Sequence, residues 1–511
     1  MQGNTTDSLT GSQSSYRQII KATSLFGSTK VLTILVSIVR SKIIAVLLGP
    51  GGMGIAGLIN ATLRLIEGFS GLGLETSAVR DVAAAHVSGD YRQVSHAVGV
   101  LRRLVWITGL LGAFLTFILS PLLSQLTFGN HDYTGAFRWV SVVLLFNQVS
   151  VGQGVVLRGL RKLKYLAKAS LLGSLAGLIV SVPLYYIYGV KGIVPAIISS
   201  SLLSLILTTY YSGKVKIIDS AVSIKNAICE GRGMISMGFM LSISGLITLG
   251  ASYIVRVYIS SKGGIDQVGL YNAGFAIINT YVGMIFTSMA TDYFPRLSGV
   301  TSNNLTAREL MNEQAEISIL ILAPILTVFI VFINWIVLLL YSSKFSAVND
   351  MVLWAALGIY FKSASFSIGY IFLAKGASRL FLLNELTANS YMLAFNLIGY
   401  TFAGLEGLGI SFLAGYLFYL IQVLSVSKVK YEFRFSQAFI KIFLVQLFLG
   451  VSCFVIVRVL EPPFSYIAGT IIMLASLVVS YYGIKERIDI KAVFRNIKGR
   501  LNKPAGIDDE K

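Results

Sequence analysis

Apolar runs long enough to cross a bilayer recur along almost the whole chain, separated by short polar stretches that carry glycine or proline. A helix crossing a hydrocarbon core of about 30 Å needs roughly 20 apolar residues. By that measure, with loop polarity and Gly/Pro punctuation marking the ends, the pattern predicts fourteen helices near 19-48, 52-78, 97-121, 136-157, 167-188, 191-212, 233-260, 267-292, 315-341, 349-374, 380-402, 405-426, 438-459 and 464-484. The fold class is therefore all-α, a polytopic membrane protein. Composition agrees: of 511 residues 55% are hydrophobic and 13% charged, against about a quarter charged in a soluble domain. Residues 1-16, rich in Ser, Thr, Gln and Gly and without a basic residue before Arg17, are expected to form a flexible cytoplasmic tail, not a cleaved signal.

The net charge of +19 is explained by where the charges fall. The segments 1-21, 79-96, 158-168, 213-232, 293-314, 375-379, 427-437 and 485-511 hold 28 Lys and Arg, whereas the alternate loops and their flanks hold four, Lys191, Lys262, Lys344 and Arg458. Basic residues are retained on the cytoplasmic side, so both termini are placed inside and no nucleic-acid partner is required. The loop Arg158, Arg161, Lys162, Lys164, Lys168 and the basic tail 485-511 also suit contact with anionic lipid in the bilayer. Cys229 and Cys453 make no disulfide framework, and His86, His96 and His131 have no metal-ligand spacing.

An internal repeat is visible. Gly57-Leu58-Ile59-Asn60-Ala61 recurs as Gly269-Leu270-Tyr271-Asn272-Ala273 at an offset of 212, and Gly189-Val190-Lys191-Gly192-Ile193 as Gly404-Leu405-Glu406-Gly407-Leu408 at 215. Each match falls at the same place in a six-helix set. Six is even, so the two sets run in the same direction about an axis along the membrane normal. The expected organisation is a lobe over 17-212, a cytoplasmic linker 213-232, a second lobe over 233-426, two appended helices within 438-484, and the tail 485-511.

Candidate chemistry lies on the second helix, where Gly57, Asn60, Arg64, Glu67 and Gly71 recur at spacings of three and four and so share one face. A polar stripe in lipid must face protein or water, and an ionisable residue inside a span is a functional candidate. The plainer alternative is an Arg64 to Glu67 pair that joins two helices. The second lobe has Gly269, Asn272, Ala276, Asn279 and Gly283 at the corresponding places, keeping the polarity without the charge. Lys30, Arg40 and Lys42 make the first helix cationic too, with Arg256 and Lys362 contributing from the second lobe; Lys42 and Arg256 read equally as snorkelling to the outer surface. Surplus cations in a cavity suit an anion, because guanidinium groups grip phosphate oxygens in pairs. Glu385, Asn389 and Asn396 are placed to bond sugar hydroxyls or a neighbouring helix.

The stretch Lys21-Ala22-Thr23-Ser24 through Lys42-Ile43-Ile44-Ala45-Val46-Leu47-Leu48-Gly49-Pro50-Gly51-Gly52-Met53-Gly54 resembles the opening of the Wzx-type O-antigen translocases, in the polysaccharide-transport branch of the MOP superfamily. The resemblance implies a V-shaped pair of six-helix bundles in a bacterial inner membrane and alternating access without ATP hydrolysis. The substrate it implies is an undecaprenyl-diphosphate-linked glycan, with a polysaccharide polymerase and chain-length machinery as expected partners. Arg40, nine residues before Gly49, is similar in spacing to a functional first-helix arginine of the related lipid II flippases, which implies an anion-binding role; Ile34 stands where those proteins have a further arginine. No cofactor is expected, and H⁺ and Na⁺ are the candidate coupling ions. A multidrug or small-molecule exporter of the same superfamily is disfavoured by the cationic site. A membrane polymerase or glycosyltransferase is disfavoured because the longest outer loop, Leu122 to Gly135, offers only Asp132 beside His131.

The orientation predicts that single cysteines at Ser260 and Ser220 label differently: an impermeant maleimide added outside intact cells should reach position 260 alone. Labelling of position 220 alone would reverse the topology.

Overall fold

A computed structural model describes the backbone of residues 6–215, 217 and 222–487, and the side chains from residue 31 onward within that set except at 240 and 241. The tail from residue 488 and residues 1–5 lie outside the described residues, and so does the side chain of Lys30. The helices are α1 (Thr6–Ser70), α2 (Leu74–Val87), α3 (Tyr91–Ile118), α4 (Ser120–Phe128), α5 (Thr134–Gly159), α6 (Leu163–Tyr188), α7 (Ile193–Gly213), α8 (Ile224–Glu230), α9 (Arg232–Gly263), α10 (Ile265–Phe275), α11 (Gly283–Gly299), α12 (Asn304–Leu340), α13 (Asn349–Ala374), α14 (Ser378–Tyr431), α15 (Gln437–Val459) and α16 (Phe464–Arg487). A π-helical stretch, Ala276–Val282, joins α10 to α11.

Among the described residues eleven stretches are long and apolar enough to cross a membrane, and Val31–Ser70, Leu163–Gly213 and Ser378–Tyr431 run to 40, 51 and 54 residues. Each of these three is interrupted, at Gly49, at Gly189–Gly192 and at Ala403–Gly404. An interrupted stretch of that length makes two legs, so the described residues hold the fourteen spans that the apolar pattern predicts. Large apolar side chains stand exposed along them, among them Ile179, Phe402 and Phe448 at 69, 85 and 70%. Such a surface is at home only in lipid.

The repeat is written into the backbone. Gly189 (φ 56, ψ −132) and Gly404 (φ 55, ψ −133) adopt the same conformation, one that essentially only glycine enters. Beyond each, a second glycine packs on the backbone eight residues earlier, Gly192 on Leu184 and Gly407 on Gly399. Gly49 (φ 67, ψ −168) and Gly264 (φ 84, ψ 174) likewise precede the two pentapeptides that share the Gly-x-x-Asn pattern.

Three boundaries differ from expectation. The span expected over 52-78 stops at Ser70, where Leu72 (φ 50) and Gly73 (φ 64) turn the chain into α2. The loop expected over Leu122 to Gly135 contains most of α4, and the segment 1-16 is helical from Thr6 onward, continuous with the first span.

Packing divides the chain into two compact units, Met1–Ala273 with Leu339–Phe345, and Gly274–Leu338 with Ser346–Lys511. This partition follows contacts and differs from the repeat, since α9 and most of α10 belong to the first unit. In the first unit Leu74, Leu101, Val155 and Val156 form one core, and Ile55, Ile59, Phe137, Val140 and Tyr185 another. Gly173 and Gly177 of α6 face Ser204 and Ser200 of α7, a close approach that small residues permit.

In the second unit α15 and α16 lie close against α13 and α12, with Gly450 facing Tyr360 and Gly469 facing Val331. Gln446 Nε2 donates to Ser480 Oγ at 2.9 Å, and Ser476 Oγ donates to Gln446 Oε1 at 2.6 Å. At one end Arg458 pairs with Asp350 at 3.1 Å and with Glu406, beneath the ring of Trp354 at 5.5 Å. At the other, Arg487 pairs with Glu316 at 2.6 Å. The two terminal helices are thus held along their length and at both ends.

Nothing lies within 4 Å of a Cβ placed on Gly189 or Gly404, so substitution there tests the backbone alone. Gly189→Ala and Gly404→Ala should each lower thermal stability in detergent by a similar amount, about 1–3 kcal/mol. Gly135→Ala, in equally open space with ordinary helical backbone, should cost nothing measurable.

Candidate functional site

The second leg of α1 begins after Gly49 and presents its polar stripe to a cavity of about 530 Å³ in the first unit. Asn60, Arg64 and Glu67 line one wall, Asn147 and Gln148 of α5 another, and Ser242 of α9 closes it. Gly68, Gly71 and Gly73 also line it, so leg two supplies small residues beside its charges. Arg64 is exposed and forms no direct ion pair among the described residues. Its charge interacts with Glu67 one turn on, beside which stands Asn147. The geometry therefore favours the cavity over an ion pair that ties helices together. Asn60 turns its amide back to Ala56 O at 2.7 Å, leaving its carbonyl oxygen for other partners.

Leg two touches the second repeat at both ends of this cavity. At the Gly49 end, Gly54 meets Ile265, Gly57 meets the amide of Asn272, and Gly269 meets the backbone of Pro50. At the other end Gly73 meets Gly238 and Ser242, and the carbonyl of Leu72 lies against Gly238. The left-handed turn at Leu72 makes that second approach.

Arg256 of α9 is brought to the same region. Its Nε donates to Asn272 Oδ1 at 2.9 Å and its Nη1 to Ser252 O at 2.9 Å and also to Ser252 Oγ, with Tyr271 beneath the guanidinium at 5.4 Å. It lies within electrostatic reach of Arg64 but does not itself line the cavity, whose lining also carries Glu67 and Glu75. Arg40 goes elsewhere. Its guanidinium occupies the space left by Gly177, beside Ser200 and near Tyr185, and Arg40 does not line the 530 Å³ cavity. Lys42 is partly buried on the first leg.

The remaining candidates belong to the second unit. Lys362 of α13 donates to Asn279 Oδ1 at 3.2 Å and lies over Tyr416, Phe286 and Phe412 at 5.0, 5.5 and 5.8 Å. Aromatic faces attract a cation through the ring quadrupole. Asn279 sits in the π-helical stretch Ala276–Val282, and such single wide turns recur at functional positions. On α14, Glu385 accepts from the Tyr419 hydroxyl at 3.3 Å, while Asn389 and Asn396 donate to Glu385 O and Met392 O at 2.9 and 2.8 Å.

The sequence reading did not single out Asn147, Gln148 or Ser242. Adjacent Asn and Gln inside the long apolar run of α5 were the available signal, since polar pairs in a span usually face its interior. Gln148 Nε2 donates to Thr108 Oγ1 at 3.0 Å, which fixes its amide at the cavity wall.

Paired six-helix repeats with a polar, charge-bearing cavity inside the spans make the fold of the MOP superfamily. It is similar to the lipid II flippase MurJ in an inward closed conformation, with a TM-score of 0.67, 14% identity and coverage of 89% of this chain and 98% of that one. It is also similar to an inward-facing multidrug resistance MATE family transporter of that superfamily, with a TM-score of 0.66, 17% identity and coverage of 78 and 94%. The chain belongs to the family described as polysaccharide biosynthesis protein, whose model matches residues 43–350. Among curated relatives, the lipid III flippases of Escherichia coli (strain K12) and Shigella flexneri are each 24% identical over 386 residues, covering 74% of this chain and 90% of theirs.

Proposed function

We propose that the protein moves an undecaprenyl-diphosphate-linked oligosaccharide, the repeat unit of a surface polysaccharide such as O-antigen, from the cytoplasmic to the outer leaflet of a bacterial inner membrane. One observation carries this reading: Arg64 stands exposed in a cavity within the spans, with no carboxylate in direct contact among the described residues and a second guanidinium, Arg256, nearby. The lining also holds the carboxylates of Glu67 and Glu75, the latter paired with Arg158 at 2.8 Å, so the groups left for an anion are Arg64 and the nearby Arg256; there a diphosphate would gain charge-assisted hydrogen bonds of about 1.5–3 kcal/mol each. The cavity, at about 530 Å³, has the size of a small-molecule pocket. It suits the headgroup, with the polyprenyl chain left in lipid.

In this reading both termini are cytoplasmic and the path is alternating access. H⁺ or Na⁺ is the proposed coupling ion, with Glu67 and Glu385 as the acidic groups offered by the two units. Within the second unit, taken by itself, Asn279, Glu385 and Asn389 and the rings around Lys362 offer hydrogen bonds and flat apolar faces of the kind that sugars take. Lys362 then shifts the balance between inward and outward states. A polysaccharide polymerase with its chain-length machinery would consume the product. The family membership and the names of the lipid III relatives support a lipid-linked cargo.

Replacement of Arg64 by Ala should abolish glycan export at normal expression, a loss of about tenfold or more, and Arg64→Lys should restore part of it. Arg40→Ala should reduce export less, because Arg40 lies against Gly177 and Ser200 and not in this cavity. Export at the wild-type rate by both Ala variants, measured as surface polysaccharide in intact cells, would remove the anion-site reading.

A further inference from the structure

The two copies of the Gly-x-x-Asn repeat touch each other. Gly57 of leg two lies against the side-chain amide of Asn272, so that a Cβ on Gly57 would occupy the place of Asn272 Nδ2. That nitrogen is buried and has no hydrogen-bond partner among the described residues. The opposite atom of the same carboxamide, Oδ1, accepts from Arg256 Nε at 2.9 Å. One flat, rigid group thus spans from the contact between helices to the guanidinium whose charge reaches Arg64. Around it, Gly51 lies beside the Asp266 carboxylate, Gly54 beside Ile265, and Gly269 beside Pro50. The whole contact is built at positions where any side chain would hold leg two and α10 apart.

We propose that Asn272 is a positioning residue that couples closure of this end of the cavity to anion affinity, an inference that rests on the anion-site reading above. When leg two docks, Gly57 confines the Asn272 amide, and its oxygen fixes Arg256 where its charge adds to that of Arg64. When leg two withdraws, the amide can rotate toward other partners for its N–H, and Arg256 loses the acceptor of its Nε, swinging on the Nη1 bonds to Ser252 that remain. Affinity is therefore high while this end is shut and falls as it opens. Under the topology argued here the Gly49 end is the outer one, so opening outward would itself release the diphosphate. Coupling of this kind is reciprocal: an anion that favours the closed end must itself close it, by the same factor.

The test uses the full-length protein in nanodiscs, with geranyl diphosphate as probe. Its affinity is measured, and spin labels at Leu47→Cys and Ser261→Cys report the separation across the contact with and without probe. In the wild type, probe should shorten that separation. Asn272→Ala should bind about tenfold more weakly and lose the probe-driven shortening, although its unliganded separation stays that of the wild type. Gly57→Leu should open the end and weaken binding together, with Gly57→Ala intermediate should the larger variant fail to fold. Wild-type affinity and wild-type probe response in both Asn272→Ala and Gly57→Ala would overturn the coupling. Arg64→Ala serves as the separate arm: if it binds probe as the wild type does, the anion site itself is wrong, whereas if it loses binding while the Asn272 and Gly57 variants keep it, only the coupling fails.

Discussion

A backbone that crosses hydrocarbon has no water to bond with, so each N–H and C=O must be satisfied inside its own helix. The chain can reverse only where helices end, and here the tightest reversals fall on glycine. Gly189 and Gly404 share one conformation to within a degree or two, and each sets the glycine three residues on against the helix it has just left. Gly49 does the same service for leg two, fixing where Asn60, Arg64 and Glu67 come to lie. The site depends on those reversals because a stripe on a helix faces a cavity only if the helix enters at the right depth and rotation.

Charge placement follows from the same low-polarity surroundings. The basic groups of the spans find three different settlements: Arg40 is buried against Gly177 and Ser200, Lys362 is surrounded by rings and an amide oxygen, and Arg64 faces an open polar space. Desolvating a cation is costly unless hydrogen bonds or aromatic faces replace water. Among these three the last leaves a guanidinium open to a ligand, whereas Arg40 lies outside the cavity despite its spacing.

The overall architecture does not distinguish between cargoes. A lipid II flippase and a multidrug transporter resemble this fold almost equally, with TM-scores of 0.67 and 0.66. What sets this cavity apart is its own lining, Arg64 with Glu67 and Glu75 among polar and small residues, because potentials inside the spans are set by the nearest few groups.

The number and approximate ends of the spans were determined by the sequence alone, because transfer of apolar side chains into lipid is nearly additive along the chain and a helix of fixed rise converts residues into thickness. The repeat and the stripe on leg two were also legible, since spacings of three and four mark one face whatever surrounds it. The tertiary structure decided which of these faces meet. Nothing in the sequence places Arg256 beside Arg64, brings Gly57 to Asn272, stops leg two at Ser70 or widens the helix at Ala276–Val282. Those outcomes depend on how helices far apart in the chain tilt and rotate against one another, and that is settled by side-chain packing summed over the whole interface, not by any local run of residues.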